Sequence, residues 1–137
     1  MKNKKKLNVV GAILVNDNEI LCAQRGVGKY EYVSRKYEFP GGKIEKGESP
    51  EEALHRELIE EMLVDVPVDD MQYFDRVEYE YPDFILDMET FLCPVSNREI
   101  TLTEHLDIKW LTPDQVGILD WAPADWPIVK ALRKRGI

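Results

Sequence analysis

Three carboxylates, Glu57, Glu60 and Glu61, stand at i, i+3 and i+4 in the run Arg56-Glu57-Leu58-Ile59-Glu60-Glu61. On a helix that spacing sends all three from one face. Like charges on adjacent turns repel, so the cluster is relieved either by water around it or by a cation within it. Mg²⁺ suits the second case, because it takes hard oxygen ligands and accepts carboxylates together with substrate phosphates. A solvated acidic face is the plain alternative, since charge runs generally face water. The stretch upstream favours the cation. Gly41-Gly42 follows Phe39-Pro40, and two glycines allow a tight turn and a close backbone approach to a metal or phosphate. Lys43 is either a point charge for phosphate or an ordinary surface lysine.

From Gly42 the chain runs five residues to Glu48, then seven more to Arg56-Glu57-Leu58-x-Glu60-Glu61. This resembles the Nudix box, G-x5-E-x7-R-E-U-x-E-E-x-G-U, with Leu63 in place of the last glycine and Val64 as the closing aliphatic residue. The chain is similar to Nudix hydrolases, and more closely to the MutT-like and CTP-directed nucleoside triphosphate pyrophosphohydrolases. The resemblance implies an α/β/α sandwich, with a mixed sheet between helices. It implies Mg²⁺, with Mn²⁺ as a substitute, held by Glu57, Glu60 and Glu61 and by the backbone carbonyl of Gly41. Glu104, six residues before Trp110, stands where the family places a loop glutamate. The general base is then Glu57 or Glu104, and Glu104 is alternatively a further metal ligand. Arg56 reads as a clamp on a ligand carboxylate. Glu48 either assists or orients the loop, and His105 reads as a surface histidine.

Segments outside the box extend the likeness. Tyr37 to Glu45, Glu78 to Asp83 and Ala122 to Asp125 resemble MutT-like elements that face the nucleobase. Arg25 matches an arginine that contacts the nucleotide, and Asp83 lies on the matching hairpin. Asp125 stands where 8-oxoguanine-selective members carry asparagine. An amide donates and accepts, whereas an ionised carboxylate only accepts. Asp125 therefore suits the amino group of cytosine, or needs a proton to suit 8-oxoguanine; it can also be a helix N-cap. Phe84 replaces an arginine of the guanine-selective hairpin. The implied reaction is Mg²⁺-dependent hydrolysis of oxidised or modified (deoxy)nucleoside triphosphates, such as 8-oxo-dGTP, CTP or modified dCTP, to monophosphate and pyrophosphate. That activity would serve nucleotide-pool sanitation and, through it, DNA repair. Hydrolysis of another nucleoside diphosphate derivative is one alternative. A catalytically silent nucleotide sensor is another, against which the intact Arg56-Glu57-x-x-Glu60-Glu61 argues.

The elements that must position these groups follow from pattern. Leu7 to Val15 reads as a strand buried on both faces, Asn16 to Asn18 as a turn, and Glu19 to Arg25 as its partner. Tyr37 to Phe39 is a short strand stopped by Pro40. Ser49 as N-cap, Pro50 at the first helical position and Glu52 completing a capping box start the helix. Leu54, Leu58 and Met62 form its apolar stripe. Met71 to Tyr81 and Ile85 to Val95 read as a hairpin, Ile108 to Leu111 as a strand, Thr112 to Asp114 as the cap of one helical turn, and Asp125 to Arg135 as a closing helix.

At 137 residues the chain makes one domain with a single core. A net charge of −8 argues against binding nucleic-acid polymers, whose backbone needs a basic surface. The basic run Lys2, Lys4, Lys5 and Lys6 within residues 1–6 reads as a flexible, solubilising tail. Cys22 and Cys93 read as buried free thiols in a reducing compartment. No apolar stretch approaches the roughly 20 residues of a membrane span. The expectation is a cytoplasmic protein, monomer or homodimer, with a small-molecule nucleotide as partner.

Overall fold

The computed structural model describes residues 4–137. Strand β1 (Lys5–Asn16) turns through Asp17 and Asn18 into β2 (Glu19–Gln24). Both turn residues are left-handed, with φ of 53° and 62°, as a two-residue primed turn requires and as Asp and Asn tolerate. The chain continues through β3 (Tyr37–Glu38), β4 (Gly41–Lys43), α1 (Pro50–Met62), β5 (Gln72–Glu80), β6 (Phe84–Pro94), β7 (Asp107–Leu111) and α2 (Trp126–Arg135).

Among the described residues the seven strands form one mixed sheet with the path β3-β2-β1-β6-β5, β4 branching onto β1 and β7 onto β2. β1 and β6 run parallel from Lys5↔Phe84 to Val15↔Pro94. The other edge of β1 forks. Its end pairs with β2 at Val15 and Asn16, while Val9 to Gly11 pair with β4.

Alternation along β1 and β2 feeds two cores. Val10, Ala12, Leu14, Leu21 and Ala23 pack with Leu54, Leu58 and Met62 of α1, together with Cys93. Ile13, Ile20 and Cys22 pack on the opposite face with Trp121 and with Ile128, Val129 and Leu132 of α2. The sheet is thus sandwiched between the helices, and both cysteines are free and buried. No helix among the described residues is long and apolar enough to cross a membrane.

Helix α1 starts with a complete capping box: Ser49 Oγ accepts from the Glu52 N–H at 3.1 Å, and the Glu52 carboxylate accepts from the Ser49 N–H at 2.8 Å. It ends on Leu63 in the left-handed conformation, φ 54° and ψ 37°. That conformation costs a non-glycine residue roughly 1–2 kcal/mol. It is offset by bonds from Leu63 N–H to Ile59 O (3.0 Å) and from Val64 N–H to Leu58 O (3.2 Å), and by Val64 packing into the α1 core.

Several elements differ from the sequence expectation. Gly41-Gly42 is not a free turn but lies in β4, because its backbone pairs with β1. Lys5 and Lys6 belong to β1, and Lys4 Nζ donates to Tyr81 O at 3.0 Å; the parallel pairing with β6 draws this part of the expected tail into the sheet. Lys2, and residues 1–3 as a whole, lie outside the described residues. After Thr112 the helical turn is a 3-10 turn at Val116–Ile118. Asp125 ends a separate 3-10 turn, Pro123–Asp125, and makes no side-chain cap.

Candidate active site

Strand β4 brings the two glycines against both β1 and α1. A Cβ on Gly41 would strike the Val10 carbonyl, and one on Gly42 would overlap the carboxyl of Glu57. The first glycine therefore lets β4 close on β1, and the second leaves the room that the Glu57 carboxyl occupies. Beside them, at the fork in the sheet, is a cleft of about 570 Å³ lined by Arg25, Glu38, Glu57, Glu61, Glu104 and Asp125, with Gly41 and Lys43 also on its wall.

Arg56 stands behind this wall. Its Nε and Nη2 donate to the two oxygens of Glu48 at 2.7 and 2.9 Å, a bidentate fork. Nη1 donates to Glu57 Oε2 at 3.0 Å and to Glu60 Oε2 at 3.4 Å, and Nη2 also reaches the Lys43 carbonyl at 3.0 Å. One guanidinium thus ties α1 to β4 and fixes the Glu57 carboxylate. The hydrogen bond from Arg56, helped by the Glu45 N–H, pulls the Glu48 carboxyl down to about 2. Glu48 contributes no atom to the cleft lining; it orients the loop through Arg56.

The three helix carboxylates part company. Glu57 and Glu61, one turn apart, share the cleft, whereas Glu60 lies on the far side of Glu57, about 60° from it and about 100° from Glu61 around the helix axis, and its side chain is 59 % exposed. Glu61 is buried, and its Oε2 has no hydrogen-bond partner. Burial, then the negative charges of Glu57, Glu38 and Glu104, push its carboxyl up to about 8. Burial also raises Glu57, against the opposing pull of Arg56. Crowded, partly buried carboxylates with an unpartnered oxygen are a donor set that fits a divalent cation. Among the described residues no three acidic, histidine or cysteine side chains close a metal shell by themselves. A cation here would also take oxygens from substrate and water, as Mg²⁺ commonly does.

The cleft is also lined by Glu38 and Phe39, in and just after β3, and by Asp125 before α2. Asp125 is buried, and its Oδ1 accepts from the Phe39 N–H at 3.4 Å. Burial, reinforced by the charge of Glu38, raises its carboxyl well above the ordinary range. Glu38 lies between two donors: Arg25 Nη1 on Oε1 at 3.0 Å and His105 Nε2 on Oε2 at 3.0 Å. His105 is accordingly not a surface histidine; its side chain is 4 % exposed. Sequence reasoning assigned no role to Glu38. The available signal was a charged residue between Tyr37 and Phe39, which both point into the core. Asp83 is not brought to the cleft: its carboxylate accepts from Tyr32 Oη at 2.9 Å, on a hairpin tip packed against Tyr30 and Tyr32.

Comparison with known proteins agrees with this geometry. The model of the NUDIX domain matches residues 5–132. The 8-oxo-dGTP diphosphatase of Escherichia coli K12 is 34 % identical over 131 residues, covering 95 % of this chain and 98 % of that protein. The CTP pyrophosphohydrolase of the same organism is 32 % identical over 127 residues, covering 93 % and 91 %. A solved structure of the DNA mismatch repair protein MutT, family Nudix hydrolase, from methicillin-resistant Staphylococcus aureus 252 is 42 % identical with a TM-score of 0.68, covering 96 % of this chain and 99 % of that one. The box residues on α1, the glycines beside them and the sandwich that joins them are those of one family, and this chain belongs to it: it is a NUDIX-domain protein.

Proposed function

We propose that the protein hydrolyses nucleoside triphosphates, oxidised or otherwise modified ones above all, to monophosphate and pyrophosphate, with Mg²⁺ or in its place Mn²⁺. The carrying observation is the cleft itself, one cavity lined by Glu57, Glu61 and Glu104 together with the buried Asp125. The names of the two Escherichia coli relatives, an 8-oxo-dGTP diphosphatase and a CTP pyrophosphohydrolase, support the same substrate class. We assign it to the cytoplasm, the compartment of the nucleotide precursor pool, a reading that its two free, buried cysteines support.

In the reaction one water adds across the bridging anhydride: its oxygen forms the new P–O bond, the bridge P–O bond breaks, and a proton is released. A divalent cation held by Glu57, Glu61 and the Gly41 carbonyl, with Glu104 or Glu60 completing the set, would neutralise phosphate charge and acidify water. Glu57 is the proton acceptor we favour. Arg56 holds its Oε2 in place on the cleft wall. Lys43 at the cleft wall faces the phosphate end. Arg25 neutralises Glu38, which would otherwise repel the anionic substrate. Asp125 reads the base edge. In its protonated form it offers one donor and one acceptor, the pattern of an amide.

The test is pyrophosphate release with Mg²⁺ over ordinary (d)NTPs, 8-oxo-dGTP and modified dCTPs, with Glu57→Gln as blank. Release from a modified nucleotide in preference to its parent supports the proposal. Turnover confined to other nucleoside diphosphate derivatives, or none at all, would overturn it.

A further inference from the structure

We infer that Thr103 and His105 are positioning residues for Glu104, each fastening one side of it to a different wall of the cleft. The inference rests on the cleft being a nucleotide hydrolase site, and concerns residues to which neither the box nor the likeness to relatives gives a role.

Glu104 lies on the connection from β6 to β7, outside any helix or strand, where a glutamate is ordinarily mobile. Its two neighbours are held. Thr103 Oγ1 donates to the Glu61 carbonyl at 2.7 Å, one of the carbonyls that α1 leaves without an intrahelical partner. The hydroxyl thus ties the backbone of one cleft carboxylate to the residue beside another. Thr103 is itself exposed, so its methyl group buries little and the hydroxyl is what the position uses. On the other side, His105 Nε2 donates to Glu38 on β3 at 3.0 Å. His105 Nδ1 is buried without a partner, so the bond from Nε2 to Glu38 is what holds the ring. The backbone repeats the arrangement: Thr101 N–H donates to Met62 O at 3.1 Å, and Leu106 N–H to Gln24 O at 2.9 Å. Glu104 therefore bridges from α1 to the β2–β3 wall, with a fixed point on each side. Positioning of this kind is worth up to about 10²-fold in rate for a displacement near 1 Å.

The experiment is a pair of double-mutant cycles. Thr103→Val and His105→Phe each keep shape and remove the donor, and each is measured alone and together with Glu104→Gln. We expect each single variant to lower kcat roughly tenfold with KM changed less than about threefold. In the Glu104→Gln background the same substitutions should add almost nothing, because residues acting through one group are not additive. Thr103→Ser should keep the wild-type kcat. An equal loss in both backgrounds would overturn the inference, as would a Glu104→Gln enzyme with unchanged kcat. If His105→Phe fails to fold, the Thr103 cycle and its serine rescue decide the matter. A wild type inactive on every nucleotide would overturn the hydrolase reading as well, and so tells the two failures apart.

Discussion

At the start of α1, Ser49 gives its hydroxyl to the helix, accepting from Glu52 N–H and receiving the Glu52 carboxylate in return. At the start of α2, Asp125 has the same option and does not take it. Its backbone is already helical, φ −86° and ψ −20°, no side-chain cap forms, and its carboxyl turns to the Phe39 N–H. Helix α2 manages without the cap. Pro127 in its first turn has no N–H to satisfy, and Ile128, Val129 and Leu132 anchor it in the core. The difference separates two uses of a short polar side chain. Capping lowers the energy of the fold. Burying a carboxyl near the charge of Glu38 raises it, a cost that the base-reading role proposed for Asp125 would repay.

The largest expected effect concerns the helix carboxylate Glu57. Glu57→Gln should reduce kcat on the order of 10³-fold while Tm stays at or above the wild-type value, since a crowded carboxylate has been removed. Near-normal turnover would take Glu57 out of the chemistry.

Asp125→Asn should act on both selectivity and stability. Its unfolded-state pKa is near 3.8, and the folded protein holds the proton well above that. Above about pH 4 the native state therefore binds more protons than the unfolded chain, and stability falls as pH rises. The asparagine variant lacks this fall, so its Tm advantage should grow from pH 4 to pH 8. Base preference should match the wild type at low pH, where both side chains donate and accept, and diverge by about tenfold as Asp125 ionises. Thermal scans and competition rates across pH would show both; parallel curves would place Asp125 among the inert residues.

Ser49→Ala should do the reverse, costing about 1 kcal/mol of stability with kcat within twofold. A large rate loss would mean that the cap also aims the carboxylates. The smallest effect is Leu63→Gly. It relieves the left-handed strain at a residue 66 % exposed and should stabilise by roughly 0.5–1 kcal/mol in denaturant titrations.

Local chemistry made α1 readable from sequence: Ser49, Pro50, Glu52 and the stripe of Leu54, Leu58 and Met62 all act within the helix that contains them. The two-sided burial of β1 was readable for the same reason. Strand β4 was not, because a Gly-Gly pair has no side-chain pattern and its pairing with β1 is made across the fold. The separation of Glu60 from Glu57 and Glu61 was hidden too. One helical face is broad enough to hold all three, and only the placement of the cleft divides them. Glu38 and His105 carry no periodic signal. Their roles arise from a contact 67 residues apart in the chain.

The two buried cysteines have a consequence for the conditions in which such an enzyme works. Burial pushes the thiols of Cys22 and Cys93 up to about 12, which disfavours the thiolate near neutral pH. Peroxide attacks the thiolate form. Oxidised nucleotides accumulate when oxidants do, so if they are its substrates, as proposed above, the protein meets its heaviest load under the stress that disables exposed, low-pKa thiol enzymes. Its own sulfhydryls, shut inside the two faces of the sheet, offer that stress almost nothing to react with.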